Sequence, residues 1–244
     1  MLLVDTHCHL HDMEFFGAEE AEAAWQRARA EGVTQMICVS TRPDDAVAAR
    51  DFAKRHDGVY WTYGIHPAEW RADNGGDFEL DEKLVAIGEV GLDYHYGLDE
   101  RTQQIKLFER MLELAVSHNL PVSFHVREAF DDFFGMIQNV PHLRGVVHSF
   151  TDSKKNLRRI LEETDLLIGV NGLATYTTLP LPPLERLILE TDAPFLAPVS
   201  LRGTKNEPKN IRLIAEWLAV KLDVSLEQVA ERTTENATKL FLLK

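Results

Sequence analysis

Short runs of apolar residues alternate along this chain with longer stretches whose apolar positions recur every three or four residues. The short runs, at 2–9, 34–40, 59–65, 84–92, 121–126, 145–150, 166–170 and 187–191, predict strands. The longer stretches predict helices over 18–31, 43–57, 100–119, 130–138 and 154–163, and helical structure again from Pro208 onward. Punctuation agrees with these bounds. Gly32 ends the first helix, Pro43 stands in the first turn of the second, and Gly58 follows it. Ser225 with Gln228 reads as a capping box. In the helix over 100–119, Ile105, Phe108, Leu112 and Ala115 form one apolar face. A polar, Gly-rich insertion around 73–77 precedes the fourth strand.

Strands that alternate with helices make a parallel sheet covered by helices. Eight such units in 244 residues favour closure into a (β/α)₈ TIM barrel, which typically takes about 250 residues. The rival, an open doubly wound sheet, advertises a Gly-rich turn after its first strand, and this chain has none there. The expected organisation is one domain over 1–244. Only residues 174–183, with prolines at 180, 182 and 183, separate strand seven from the approach to strand eight, so the helix after strand seven is expected to be short or missing.

Composition changes this picture little: 45% hydrophobic and 27% charged residues suit an ordinary soluble domain. The net charge of −13 matters more, because an acidic surface repels nucleic acid at long range. It excludes a protein that coats duplex DNA, but not an enzyme with a local basic patch. Lys154, Lys155, Arg158 and Arg159, with Arg202, Lys205 and Lys209, are candidates for such a patch, or for solvated charge. Two cysteines, Cys8 and Cys38, build no disulfide framework. Charge at Asp5 comes too early for a signal peptide, and no apolar run is long enough to span a bilayer. A cytoplasmic protein with no membrane partner, monomeric or weakly oligomeric, is expected.

Chemistry in this fold gathers at the C-terminal ends of the strands. Strand one ends Asp5-Thr6-His7-Cys8-His9, and residues two apart on a strand point to one face. His7 and His9 thus present two imidazoles to the barrel lumen, while Cys8 faces the helices. An H-x-H pair could be two core histidines bonded to neighbours. Glu89, His125, His148 and Asp192 at other strand ends favour a divalent metal, since imidazole and carboxylate suit such ions.

These residues sit in an ordered series: Asp5-Thr6-His7-Cys8-His9, Gly64-Ile65-His66-Pro67, Gly88-Glu89-Val90-Gly91-Leu92-Asp93-Tyr94, His125-Val126-Arg127, His148-Ser149-Phe150 and Glu190-Thr191-Asp192-Ala193-Pro194. The series, ending in the loop 202–208, resembles the successive motifs of TatD-type metal-dependent deoxyribonucleases of the amidohydrolase superfamily. The resemblance implies two divalent ions, Mg²⁺, Mn²⁺ or Zn²⁺. His7, His9 and Asp192 would bind one, His125 and His148 the other, and Glu89 would bridge them. It also implies that His66 contacts the substrate phosphate, and that Arg127, Arg202 and Asn206 lie on the substrate side. Asp152 stands where the family usually has Gly, and reads as an N-cap for the following helix.

The expected activity is hydrolysis of DNA phosphodiester bonds, exonucleolytic on single strands or ends, by a water activated between two metals with Asp192 as general base. His66 would neutralise charge growing on the phosphoryl oxygens. The alternative is an acyl-bond hydrolase, such as a D-aminoacyl-tRNA deacylase or a small-molecule amidohydrolase. A non-enzymatic barrel that kept its site for binding is the third reading. Asp93 and Tyr94 either take part or only shape the strand exit.

Overall fold

The structure, a computed structural model, describes residues 2–76, 78–176, 178 and 181–244, with only the backbone at Tyr96 and Gly97. Asp77 of the Gly-rich insertion, and Thr177, Leu179 and Pro180 of the connection after strand seven, lie outside the described residues. The strands are β1 (Leu3–Cys8), β2 (Val33–Cys38), β3 (Val59–Tyr63), β4 (Leu84–Asp93), β5 (Val122–Arg127), β6 (Gly145–Val147), β7 (Leu167–Val170) and β8 (Leu187–Leu189). They form one eight-stranded sheet in the order β1 to β8, and each neighbouring pair is parallel. His9 N–H donates to the Ala193 carbonyl at 2.7 Å and Asp192 N–H to that of His7 at 2.8 Å, so the end of β1 meets the exit of β8 and the sheet closes on itself. This is the expected (β/α)₈ barrel.

The helices are α1 (Gly17–Ala30), α2 (Pro43–Arg55), the short turn α3 (Tyr94–Gly97), α4 (Arg101–His118), α5 (Phe130–Ile137), α6 (Lys154–Glu163), α7 (Ile211–Leu222) and α8 (Leu226–Phe241). The capping box at Ser225 and Gln228 is formed. Helix α6 spans the expected residues, but its N-cap is Ser153 and not Asp152. Ser153 accepts from Asn156 N–H, while Asp152 accepts from Asn156 Nδ2 at 2.7 Å. Among the described residues no helix is long and apolar enough to cross a membrane.

No α-helix stands between β7 and β8 among the described residues. Two 3₁₀ turns, Gly172–Tyr176 and Leu184–Arg186, lie there instead. Arg186 ties the second turn to the end of α6 by donating to the carbonyls of Thr164 (2.8 Å) and Leu166 (2.7 Å). Helix α8 also reaches this connection, where Asn236 Nδ2 donates to the carbonyls of Leu184 and Leu187.

The two ends of the barrel are chemically opposite. Val4, Ile37, Val39, Tyr60, Val85, Val146 and Ile188 pack with Leu240, Phe241 and Leu243, so the end of α8 and the tail behind it plug one end with hydrocarbon. The Tyr60 hydroxyl donates to the Lys244 carbonyl at 2.7 Å and accepts from Lys244 N–H, fastening the plug. The main apolar cluster lies between strands and helices, and Cys8 and Cys38 belong to it. With one end filled, the polar side chains gather at the other.

Candidate metal centre

His7 comes from β1, Glu89 from β4 and His125 from β5. His9 lies just past β1, His148 just past β6 and Asp192 in the exit of β8. The Asp192 backbone is left-handed, with φ 57°, a conformation that Asp tolerates better than most residues. These six side chains converge. His7 Nε2 stands 3.5 Å from Glu89 Oε2 and 3.5 Å from Asp192 Oδ1. His9 Nε2 is 3.3 Å from Asp192 Oδ1. On the other side, Glu89 Oε1 lies 2.6 Å from His125 Nδ1 and 3.7 Å from His148 Nε2. The His7 and His148 rings stack at 3.6 Å between centroids.

The His7 contacts test whether a cation fits. This residue is 1% exposed, and neither ring nitrogen has a hydrogen-bond partner. A buried imidazole left without partners is costly. Its Nε2 faces two carboxylate oxygens across gaps too long for hydrogen bonds. Such gaps suit donors that share an ion at roughly 2.0–2.2 Å from each. Metal-competent groupings are His7, His9 and Glu89; His7, His148 and Glu190; His66, Asp93 and His125; and Glu89, His125 and His148. The donor set therefore fits divalent cations.

Electrostatics points the same way. Burial pushes the His148 pKa down, but Glu190, Glu89 and Asp192 outweigh it and carry it up to about 10. Burial opposes His125 too, yet Asp93 and Glu89 lift it to about 9. Glu89 is held well below the usual carboxylate range although burial raises it, because His148, His125 and His7 surround it. His7 itself is lowered by burial and then by repulsion from His148. The carboxylates thus hold protons on nearby imidazoles, and a bound metal would displace those protons.

Several residues that were not read as ligands support the site. Glu190, 1% exposed, lies with Oε1 3.1 Å from His148 Nδ1 and accepts from Ser149 N–H at 2.6 Å. A Cβ at Gly169 would collide with the Glu190 carboxylate, which explains the glycine there. Asp93 Oδ2 stands 3.0 Å from His125 Nε2, so Asp93 does more than shape the strand exit. The buried Gln104 of α4 grips the Asp93 backbone at both N–H and carbonyl, each at 2.8 Å. Asp5 accepts from the Thr191 hydroxyl (2.6 Å), Thr191 N–H (2.9 Å) and His7 N–H (3.3 Å), which locks β1 to the β8 exit. Its burial raises the Asp5 pKa to about 8.

The residues expected on the substrate side divide. His66 is half-buried beside the cluster, with its ring 4.3 Å from that of His125 and Nε2 3.8 Å from Glu89 Oε1. Burial and then His125 lower its pKa to about 4. The His66 ring is therefore neutral near pH 7. Arg127 and Arg202 are exposed, and the Arg202 guanidinium lies 5.7 Å from the Tyr176 ring centroid. Asn206 departs from expectation. It is 0% exposed, its Nδ2 donates to the Thr191 carbonyl and its Oδ1 accepts from Asn210 Nδ2 and Glu207 N–H. The amide shapes the loop and is closed to a substrate. Most of the candidate basic residues are held in ion pairs: Arg158 pairs with Glu162, Arg159 with Glu163 and Asp131, Lys205 with Glu20, and Lys209 with Glu207.

A parallel barrel with this donor set at the C-terminal ends of its strands defines a metal-dependent hydrolase. The chain belongs to the TatD related DNase family, whose model matches residues 4–242. Among its relatives, the metal-dependent hydrolase YcfH of Escherichia coli K12 is 31% identical over 99% of this chain and 96% of its own length. The 3'-5' ssDNA/RNA exonuclease TatD of Pantoea ananatis is 36% identical over 92% of this chain and 94% of its own. The crystal structure of YjjV, a TatD homologue from Escherichia coli, superposes with a TM-score of 0.86 at 26% identity, covering 99% of this chain and 98% of that one.

Proposed function

We propose that the protein is a divalent-metal-dependent nuclease that hydrolyses phosphodiester bonds of DNA, exonucleolytically, on single strands or ends. The observation that carries this reading is the orientation of Glu89, whose Oε2 faces His7 while its Oε1 faces His125 and His148. A carboxylate that turns its two oxygens to separate histidines suits two cations side by side. His7, His9 and Asp192 would hold one and His125 and His148 the other, with Glu89 between them. When bound, such a pair supplies positive charge to the attacking and leaving oxygens of an in-line displacement and acidifies water.

The chain's own groups do the rest. Asp192 accepts the proton of the attacking water at its carboxylate. His66 Nδ1 accepts from Ala68 N–H at 3.2 Å, which leaves the ring proton of the neutral imidazole on Nε2, the nitrogen that faces the cluster. That N–H donates to a phosphoryl oxygen as charge grows there. Arg127, exposed at the end of β5, and Arg202, exposed in the loop after β8, take neighbouring phosphates of the strand. The name of the Pantoea relative supports a single-stranded nucleic acid as substrate.

The test is an end-labelled single-stranded oligonucleotide incubated with Mg²⁺, Mn²⁺, Zn²⁺ or Co²⁺. Progressive shortening that EDTA abolishes is expected. No cleavage with any of the four ions, together with hydrolysis of an aminoacyl-tRNA or a small ester, would replace the phosphodiesterase reading with the acyl one.

A further inference from the structure

Two large apolar rings stand in solvent beside the metal centre, and the chemistry described so far does not use them. Phe15 is 42% exposed and Phe195 is 43% exposed. Their rings meet edge to face with centroids 5.0 Å apart. The Phe195 centroid also lies 5.9 Å from that of His9, whose Nε2 faces Asp192. The pair is thus a direct continuation of the candidate metal centre.

Both rings are carried on anchored backbone. Phe195 N–H donates to the Asp192 carbonyl at 2.8 Å, and Asn206 N–H donates to that of Pro194 at 2.9 Å. Asn206 Nδ2 also donates to the Thr191 carbonyl at 2.9 Å, so backbone and buried side chain of Asn206 together brace the loop that presents Phe195. On the other side, the Phe15 carbonyl accepts from Lys205 Nζ at 2.6 Å, and the same ammonium pairs with Glu20 at 2.7 Å. The next residue, Phe16, is buried, and its N–H donates to the Asp12 carbonyl. Exposed aromatic rings held still beside a reacting centre are suited to a flat ligand, because little side-chain freedom remains to be lost on binding.

We propose that Phe15 and Phe195 form a stacking ledge for an unpaired nucleobase of the strand whose phosphodiester lies at the metal centre. This deepens the nuclease reading and rests on it. A base joined through its sugar to the reacting phosphate lies one sugar away, on the scale of the step from His9 to Phe195. Every base has a π-face, so the ledge accepts any of them, with weak sequence preference. A base in a duplex is covered by its stacked neighbours and held by its pair, so the ledge selects frayed or single-stranded ends. Arg202, farther along the same loop, is placed to meet a phosphate of that strand.

The test compares a single-stranded oligothymidylate with the same strand carrying an abasic tetrahydrofuran residue at the end that is cut. Wild type should prefer the base-bearing end by about tenfold in kcat/KM, and Phe195→Ala should abolish most of that preference. Phe195→Trp should restore it, and metal content should stay at the wild-type level in both variants. Equal loss on both oligonucleotides, or an unchanged preference in Phe195→Ala, overturns the ledge. Affinity for a cleavage-resistant phosphorothioate version of each strand, measured by anisotropy on the holoenzyme, separates the two readings. Tighter, Phe195-dependent binding of the base-bearing strand without turnover of the cleavable one refutes the nuclease reading and keeps the ledge. Turnover with equal affinity and equal kcat/KM for both strands keeps the nuclease reading and refutes the ledge.

Discussion

Glu190→Gln is the substitution whose effect the structure defines most sharply. The native carboxylate oxygen lies 3.1 Å from His148 Nδ1 and accepts from Ser149 N–H at 2.6 Å, in a site 1% exposed to solvent. Glutamine keeps the shape but has one acceptor oxygen. That oxygen can keep the Oε1 position beside both Ser149 N–H and His148 Nδ1, but without the carboxylate's charge it holds the ring proton on Nδ1, and so the bare Nε2, less firmly. Nε2 is the nitrogen that faces Glu89 and Asp192, at 3.7 and 4.0 Å, and so would face a cation. Losing such an orienting partner typically weakens metal affinity about 10- to 100-fold, or about 1.4–2.8 kcal/mol. Folding should suffer less, because the isosteric amide also relieves the cost of a buried carboxylate. A change of about 1 kcal/mol would move the melting temperature by roughly 2–4 °C for a chain of this size. The assay is a chelator-competition titration with Zn²⁺ or Mn²⁺, alongside thermal melts in excess EDTA. Wild-type affinity in a normally folded Glu190→Gln protein would refute the orienting role.

Other expectations follow from the same geometry. The double variant His7→Ala/His9→Ala should lose about one bound ion per chain without unfolding, and unchanged metal content by elemental analysis would contradict that assignment. Phe241→Ala removes a buried ring from the barrel plug and should cost about 3–5 kcal/mol, a drop in melting temperature of roughly 6–20 °C. Wild-type melting would show that the plug does not carry stability. Arg202→Ala should weaken binding of a single-stranded oligonucleotide and flatten the dependence of log K on log salt by about 0.7; an unchanged slope would mean that Arg202 meets no phosphate.

The barrel and the six converging side chains were legible for one physical reason. Parallel strands buried on both faces read as apolar runs, so a histidine or carboxylate at the end of such a run stands out. Period-two alternation then told which way His7 and His9 point. What stayed hidden depends on pairing and not on pattern. Glu190, Asp5 and Gln104 each stand beside other polar residues in the chain, and nothing local announces that their partners are His148, Thr191 and Asp93. The strand ends of β6 and β8 came out shorter than the apolar runs suggested. Ser149 and Asp192 turn the backbone left-handed there, with φ 49° and 57°, and no period encodes such a turn. The basic stripe on α6, readable as a phosphate patch or as solvated charge, was also decided by pairing. Arg158 and Arg159 each have a glutamate four residues on, and these i,i+4 pairs hold the charges along the helix. Asn206 was placed on the substrate side by the resemblance alone, although its side chain is buried.

An anomalous difference map from crystals grown with Mn²⁺ tests the central claim most directly. The account predicts density for one ion among His7, His9, Asp192 and Glu89 and for a second among Glu89, His125 and His148. A map with no anomalous peak among these side chains, from protein that still cleaves single-stranded DNA in excess EDTA, would contradict it.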